Sequence, residues 1–319
     1  MTPLDWLMRL CGRKSVTVLQ FHKVPEQTDA LEPSEVDLLQ FERTLSFLIE
    51  RFRVLPLAHV VDNLLVGKVP KNTICLTFDD GYIDWMHGVV PILLRWNVHA
   101  TFYVTTGQFT GAPMWHERVN NAIRTYDSAL LNVRDIHPSA LPTHSLSDRR
   151  LTVQVLQHYL KYQTLFNRNQ MLETLERACG VDSSNLPVMP CTDLRLIHSK
   201  GFDIGAHSIN HPILSFTSDS EAYEEISASR EQLENLIGGR IDSFAYPNGN
   251  PGTDFTSTHV AMVKRAGYRF AVTTQRGALR QTSSLFQVPR FTPWGPDHLR
   301  MSWQVIRNQN KKSYSLDES

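Results

Sequence analysis

Cysteine is scarce in this chain of 319 residues: there are four, at Cys11, Cys75, Cys179 and Cys191, and none forms a Cys-x-x-Cys pair. That excludes a disulfide-stapled scaffold, and reduced thiols are expected. Net charge is absent too. Lys and Arg number 32 against 32 Asp and Glu, so no overall field draws the chain to nucleic acid or to an anionic bilayer. No apolar run approaches the roughly 18 residues of a membrane span. Residues 1–11 mix Asp5 and Arg9 with apolar side chains and lack the hydrophobic stretch of an export leader, so a cytoplasmic location is expected. Internal repeats and low-complexity tracts are missing as well.

What remains is an ordinary globular composition, 41% hydrophobic, 9% aromatic and 20% charged, with enough apolar surface for a substantial core. The length suits two average domains or one α/β barrel. Thirteen histidines stand out, and their meaning depends on where they fall.

Seven short apolar runs, at residues 16–21, 74–78, 100–104, 202–206, 243–246, 268–272 and 285–288, alternate with helical stretches. Such alternation is the mark of βαβ units around a parallel sheet. The spacing predicts a helix over residues 219–237, with Ser218 and Glu221 at capping-box separation and Gly238-Gly239 as its stop. It predicts another over residues 257–266, ending at Gly267, and a surface helix through Phe41, Leu45, Leu48 and Phe52. Residues 108–200 are too many for a plain connection and read as an insertion that folds over the site, with helical patterns at 151–160 and 171–179. The expected architecture is a single domain over residues 1–319. It is a distorted (β/α) barrel of seven parallel strands, with its core at 16–300 and a polar tail at 308–319.

Chemistry-bearing residues gather at the ends of these runs. Asp79 and Asp80 sit where a buried strand opens into a glycine turn, and neighbouring side chains there splay apart, so one can hold a metal while the other faces substrate. A turn closed by an Asx hydrogen bond explains the same residues equally well. His207 and His211 have the four-residue spacing that can bring two imidazoles to one cation, although Pro212 disfavours a regular helix through them. With one carboxylate they would form a His₂Asp set that leaves a coordination position open for water.

Here the chain resembles the polysaccharide deacetylases, the NodB-type domain of carbohydrate esterase family four, and in particular members encoded for exopolysaccharide synthesis. Thr77-Phe78-Asp79-Asp80-Gly81 matches that family's first motif and His207-Ser208-x-x-His211 its second, and the likeness runs from about residue 16 to 291. The resemblance implies Asp79 as catalytic base, Asp80, His207 and His211 as ligands of one divalent ion, usually Zn2+, and an N-acetylated oligo- or polysaccharide as substrate. Phe244-Ala245-Tyr246-Pro247-Asn248-Gly249 occupies the place of the third motif, whose backbone N–H serves the developing oxyanion. By position that donor would be Asn248, with Tyr246 and Pro247 bordering substrate. The motif's usual Arg is replaced by Ala245, and Arg290, at the last strand end, is the residue available to pair with Asp79.

The fourth and fifth motifs are not matched, so the usual general acid has no residue in its usual place. His22 ends the first strand, which a barrel closes against its last, and is expected to act as that acid. Trp115, beside His116, could stack on a pyranose or anchor the insertion's own core, and Trp294 is weighed in the same way. The basic pairs Arg149-Arg150 and Lys311-Lys312 read as solvated surface. Two other functions stay open on sequence: an amidase or cyclic imide hydrolase acting on a non-sugar substrate, and a catalytically weak carbohydrate-binding relative.

Overall fold

The structure is a computed structural model that describes residues 15–293, 298–311 and 315–316. Seven parallel strands form the barrel: β1 (Thr17–Phe21), β2 (Thr73–Phe78), β3 (Thr101–Val104), β4 (Asp203–Ala206), β5 (Ser243–Ala245), β6 (Phe270–Val272) and β7 (Arg290–Phe291). Their spatial order is β7-β1-β2-β3-β4-β5-β6, each strand hydrogen-bonded to its neighbour. Every residue of β1 and β2 is buried, as expected where core covers both faces of a parallel sheet. The long β1–β2 ladder runs from Thr17 opposite Ile74 to Phe21 opposite Phe78, which fixes Gln20, His22 and Asp79 at one end of the barrel. Between β6 and β7 the wall is joined by a parallel bridge from Val272 to Val288, so the barrel is nearly closed.

The seventh strand differs from its sequence expectation. Leu285–Gln287 is a 3-10 turn, in which the Ser284 hydroxyl accepts from the Phe286 N–H, and pairing with β1 begins at Arg290. Pro289 lacks an N–H, so the ladder resumes beyond it. That shift places Arg290 in the wall itself.

The helices used below are α1 (Leu38–Arg51), α2 (Leu57–Leu64), α3 (Val90–Arg95), α4 (Trp115–Thr125), α5 (Leu146–Lys161), α6 (Leu165–Cys179), α7 (Cys191–Ser199), α8 (Asp219–Ile237), α9 (Ser257–Arg265) and α10 (His298–Asn310). α8 has the expected capping box at Ser218 and Glu221 and stops at Gly238 in a left-handed conformation. α1 is the expected surface helix: its face with Phe41, Leu45 and Leu48 joins the main core together with Phe52, while Leu39 and Arg43 on the other side are exposed. The insertion contributes α4, α5 and α6, which enclose a separate apolar cluster of Val119, Ile123, Leu156, Leu160, Leu172 and Leu175 with Trp115 at its edge.

Gly205 in β4 is obligatory: an added Cβ would lie 2.4 Å from the Tyr103 ring and 2.8 Å from Ser243 Oγ. Arg149 is more than surface charge, since its guanidinium donates to the carbonyls of Ile123 and Tyr126 at the end of α4, and Arg150 donates to the Ala30 carbonyl at 2.8 Å. α10 extends into the segment read as a polar tail and buries Asn308 and Gln309. Cys11, Trp294 and Lys312 lie outside the described residues. Among the described residues no helix is long and apolar enough to cross a membrane.

Candidate active site

The carboxyl ends of β1, β2, β4 and β5 converge on a cavity of about 460 Å³ lined by Gln20, His22, Asp79, Asp80, Trp115, His116, His207, His211 and Asn248, among others. The backbone here is held in unusual conformations. Asp80 (φ 86°), Ser208 (φ 63°), His211 (φ 52°) and Asn248 (φ 57°) take left-handed values, while the two other non-glycine cases among the described residues are Asn72 and Asn97. Such positions cost on the order of 1–3 kcal/mol each and persist where surrounding structure enforces them.

Asp79 is 1% exposed and is gripped from behind by Arg290, which is fully buried. Arg290 Nη1 donates to Oδ1 and Nη2 to Oδ2, both at 2.6 Å, a two-pronged fork that fixes the carboxylate plane. Arg290 is itself held, with Nε donating to the Thr273 carbonyl at 3.0 Å and Nη1 reaching Thr77 Oγ1 at 3.2 Å. Gln20, unforeseen from sequence, donates from Nε2 to Asp79 Oδ2 at 2.8 Å and lies 3.2 Å from His22 Nε2. A carboxylate only accepts, so the amide nitrogen must face it, and His22 Nε2 then accepts the second amide hydrogen. Gln20 thus ties the expected base to the expected acid. Its position two residues before His22, on the same strand face, was the signal available for it.

Asp80, His207 and His211 are brought together as the sequence pattern anticipated, one ligand-type atom of each lying within 4.8 Å of the others. His207 Nδ1 lies 2.8 Å from the Ala245 carbonyl and must donate to it, which leaves Nε2 facing Asp80 Oδ1 at 3.4 Å. His211 Nε2 is 3.6 Å from the same oxygen. Asp80 Oδ1 and His211 Nδ1 are buried without a hydrogen-bond donor or acceptor of their own. Burial alone would raise the Asp80 pKa, but the neighbouring imidazoles, His207 first and then His211 and His22, hold it well below the carboxylate range. Burial lowers both imidazoles; His207 is nonetheless raised by Asp80 and Asp79, whereas His211, beside His207, falls well below its ordinary value. Lone pairs converging in a water-poor spot are the donor set of a small cation, and two imidazoles with one carboxylate suit a borderline ion.

The loop carrying both histidines is clamped from two sides. Glu225 of α8 accepts from the backbone N–H groups of Ile209 at 2.9 Å and Asn210 at 2.8 Å, and from the Asn210 side chain at 2.7 Å. Arg168 of α6 donates to the carbonyls of His211 at 3.1 Å and Asn210 at 2.6 Å while its guanidinium lies over Trp115. The insertion therefore braces the metal-type cluster as well as roofing it.

Trp115, 9% exposed, both borders the insertion's core and faces the cavity, which joins the two readings left open for it. His116 is oriented by Tyr82, whose hydroxyl lies 2.7 Å from its Nε2. Tyr246 does not meet the expectation that it contacts substrate. It is fully buried, stacked on Phe255 with ring centroids 3.8 Å apart, and its hydroxyl donates to the Phe286 carbonyl at 3.2 Å. Pro247 is likewise buried. These two residues shape the turn that presents Asn248, whose carbonyl accepts from Thr274 Oγ1.

Several solved structures share this architecture. Streptococcus pyogenes deacetylase PplD in complex with acetate aligns over 90% of this chain and 97% of its own with TM-score 0.61 and 17% identity. IcaB from Ammonifex degensii aligns over 92% and 98% with TM-score 0.59 and 14% identity. The BpsB deacetylase domain from Bordetella bronchiseptica aligns over 88% and 97% with TM-score 0.52 and 17% identity. At such identities the likeness is one of fold. A search of curated proteins finds no match. The family model for polysaccharide deacetylase matches residues 66–271, a span that holds Asp79, Asp80, His207 and His211, and the chain therefore belongs to the polysaccharide deacetylase family.

Proposed function

We propose that this deacetylase removes N-acetyl groups from amino sugars of a polysaccharide or its precursor by metal-dependent hydrolysis. The observation that carries the reading is the buried Asp80, His207 and His211 cluster lying beside a second, separately held carboxylate, Asp79. Asp80, His207 and His211 would hold one divalent ion, with Zn2+ the expected occupant. Such an ion supplies Lewis acidity, making a water more acidic and polarising the acetamide carbonyl.

The protein's own groups do the rest. Asp79 accepts three hydrogen bonds, two from Arg290 and one from Gln20, out of roughly four that a carboxylate can take. The remaining lone pair faces the cavity and takes the proton of the attacking water. Arg290 and Gln20 keep that lone pair aimed and prevent the carboxylate from turning to the ion. The Asn248 backbone N–H is the donor assigned to the oxygen that becomes negative as the carbonyl is attacked. His22, in its protonated form, returns a proton to the departing amine; Gln20 holds the ring in the neutral form, in which Nε2 accepts, and that contact is released when the ring takes up its proton. Trp115 offers an aromatic face to a sugar ring.

The test is acetate release from N-acetylglucosamine oligomers, measured beside simple amides and cyclic imides, with and without a chelator. Chelator-sensitive release from the sugars is expected. Turnover confined to the non-sugar amides would replace the substrate assignment, and tight sugar binding with metal bound but no acetate would mark a binding protein.

A further inference from the structure

The cavity wall supplied by α5 bears on which glycan enters, and this inference rests on the deacetylase reading above. Gln154, Gln157, His158 and Lys161 follow one another at the spacing that aligns side chains along one helix face, and all four line the 460 Å³ cavity. Lys161 is half-buried and forms no ion pair among the described residues; the contact it makes is with the Tyr162 ring, 5.4 Å from the centroid. His158 meets the same ring edge-on at 5.5 Å. Tyr162 in turn lies 5.4 Å from Phe216, which is 47% exposed, so an aromatic shelf begins where Lys161 and His158 end.

The nearby acids do not answer Lys161. Asp79 and Asp80 are the cavity's lining carboxylates, the first paired with Arg290 and the second facing two imidazoles. Glu117 turns to Lys23 at 3.2 Å, Glu176 to Arg118 at 2.6 Å, and Glu225 to the backbone under the histidine loop. The outer wall therefore carries an ammonium that no carboxylate among the described residues answers. A half-buried ammonium facing the cavity without a counter-charge is a binding group for an anion. A neutral chitin-like chain would leave it unused.

We propose that the substrate is an acidic glycan, in which a residue near the N-acetylated sugar carries a carboxylate or phosphate that sits between Lys161 and His158. The adjoining ring would lie against Tyr162 and Phe216. Gln154 offers its amide to hydroxyl groups along the same wall.

The zinc-loaded full-length protein is offered three oligosaccharides of equal length: neutral N-acetylglucosamine, the same sugar alternating with a uronic acid, and the same sugar joined through phosphodiesters. Acetate release gives kcat/KM for each at low and high salt. At least one anionic oligomer is expected to exceed the neutral one by about tenfold or more, chiefly through KM, with the advantage shrinking in high salt. Lys161→Gln and His158→Gln, both at solvent-accessible positions, are each expected to bring the anionic-to-neutral ratio well below that of the parent. The uronate and phosphodiester arms identify which acid is read. Equal use of all three, or a preference untouched by both substitutions, overturns the inference and leaves the deacetylase reading intact. No acetate from any oligomer with zinc bound overturns both.

Discussion

Asp79 owes its orientation to two partners that come from distant parts of the chain, and the three residues respond differently to substitution. Asp79→Asn keeps the shape and removes the base, so acetate release is expected to fall by at least about 100-fold while metal content is unchanged. Arg290→Met strands a buried carboxylate, which costs on the order of 3–5 kcal/mol in addition to activity; denaturant unfolding alongside kinetics separates the two effects. Replacing His22 with Ala is expected to lower kcat with metal retained, and parallel loss of metal would instead place His22 among the ligands. A different kind of residue is Asp84, whose carboxyl is pushed by burial up to about 6 although it accepts the Val24 N–H. Because its folded pKa lies above the ordinary value of 3.8, the native state binds the extra proton and stability declines as pH rises through 6. Asp84→Asn is expected to match the parent near pH 4 and exceed it by about 2 kcal/mol at pH 8, read from melting curves across that range. The sequence disclosed Asp79 and Asp80 because they are contiguous within one motif, and Arg290 because a missing partner had to be supplied from somewhere. Gln20 escaped notice since its partner Asp79 is 59 residues away and only the barrel register brings the two together.

At the scale of elements, the histidine loop shows how a helix can serve a site it does not touch. Glu225 leaves α8 to accept from two backbone N–H groups between the two histidines, which fixes the turn that carries them. Glu225→Ala is expected to weaken metal affinity about 10–100-fold with Asp80, His207 and His211 all still present, measured by competition with a chromophoric chelator. Unaltered affinity would show that the left-handed turns at Ser208 and His211 stand without that clamp. Strands and capped helices were readable because their patterns are local: the short, continuously buried apolar run of β2, or the Ser218 and Glu221 box of α8. The seventh strand was misplaced because its apolar run precedes Pro289, and only pairing geometry reveals that Arg290 and Phe291 make the ladder. Tyr246 was read as a contact residue from its place in a motif, but an aromatic beside a functional turn can equally be what the turn is built upon.

For the whole molecule, the near-closed barrel gathers the ends of β1, β2, β4 and β5 at one rim, and the insertion closes over them. The insertion's length announced a cover, yet its brace through Arg168 and its cationic wall at Lys161 depend on how α5 and α6 pack, which no local pattern encodes. Everything at this rim turns on whether Asp80, His207 and His211 together hold one ion that the chemistry needs. The direct measurement is elemental analysis of the purified full-length protein and of Asp80→Ala, before and after reconstitution with zinc, with acetate release followed in the same samples. About one divalent ion per chain is expected in the parent, with activity rising in proportion to occupancy, and both should be lost in Asp80→Ala. A parent protein that carries no metal, cannot be loaded with any, and still releases acetate would contradict it.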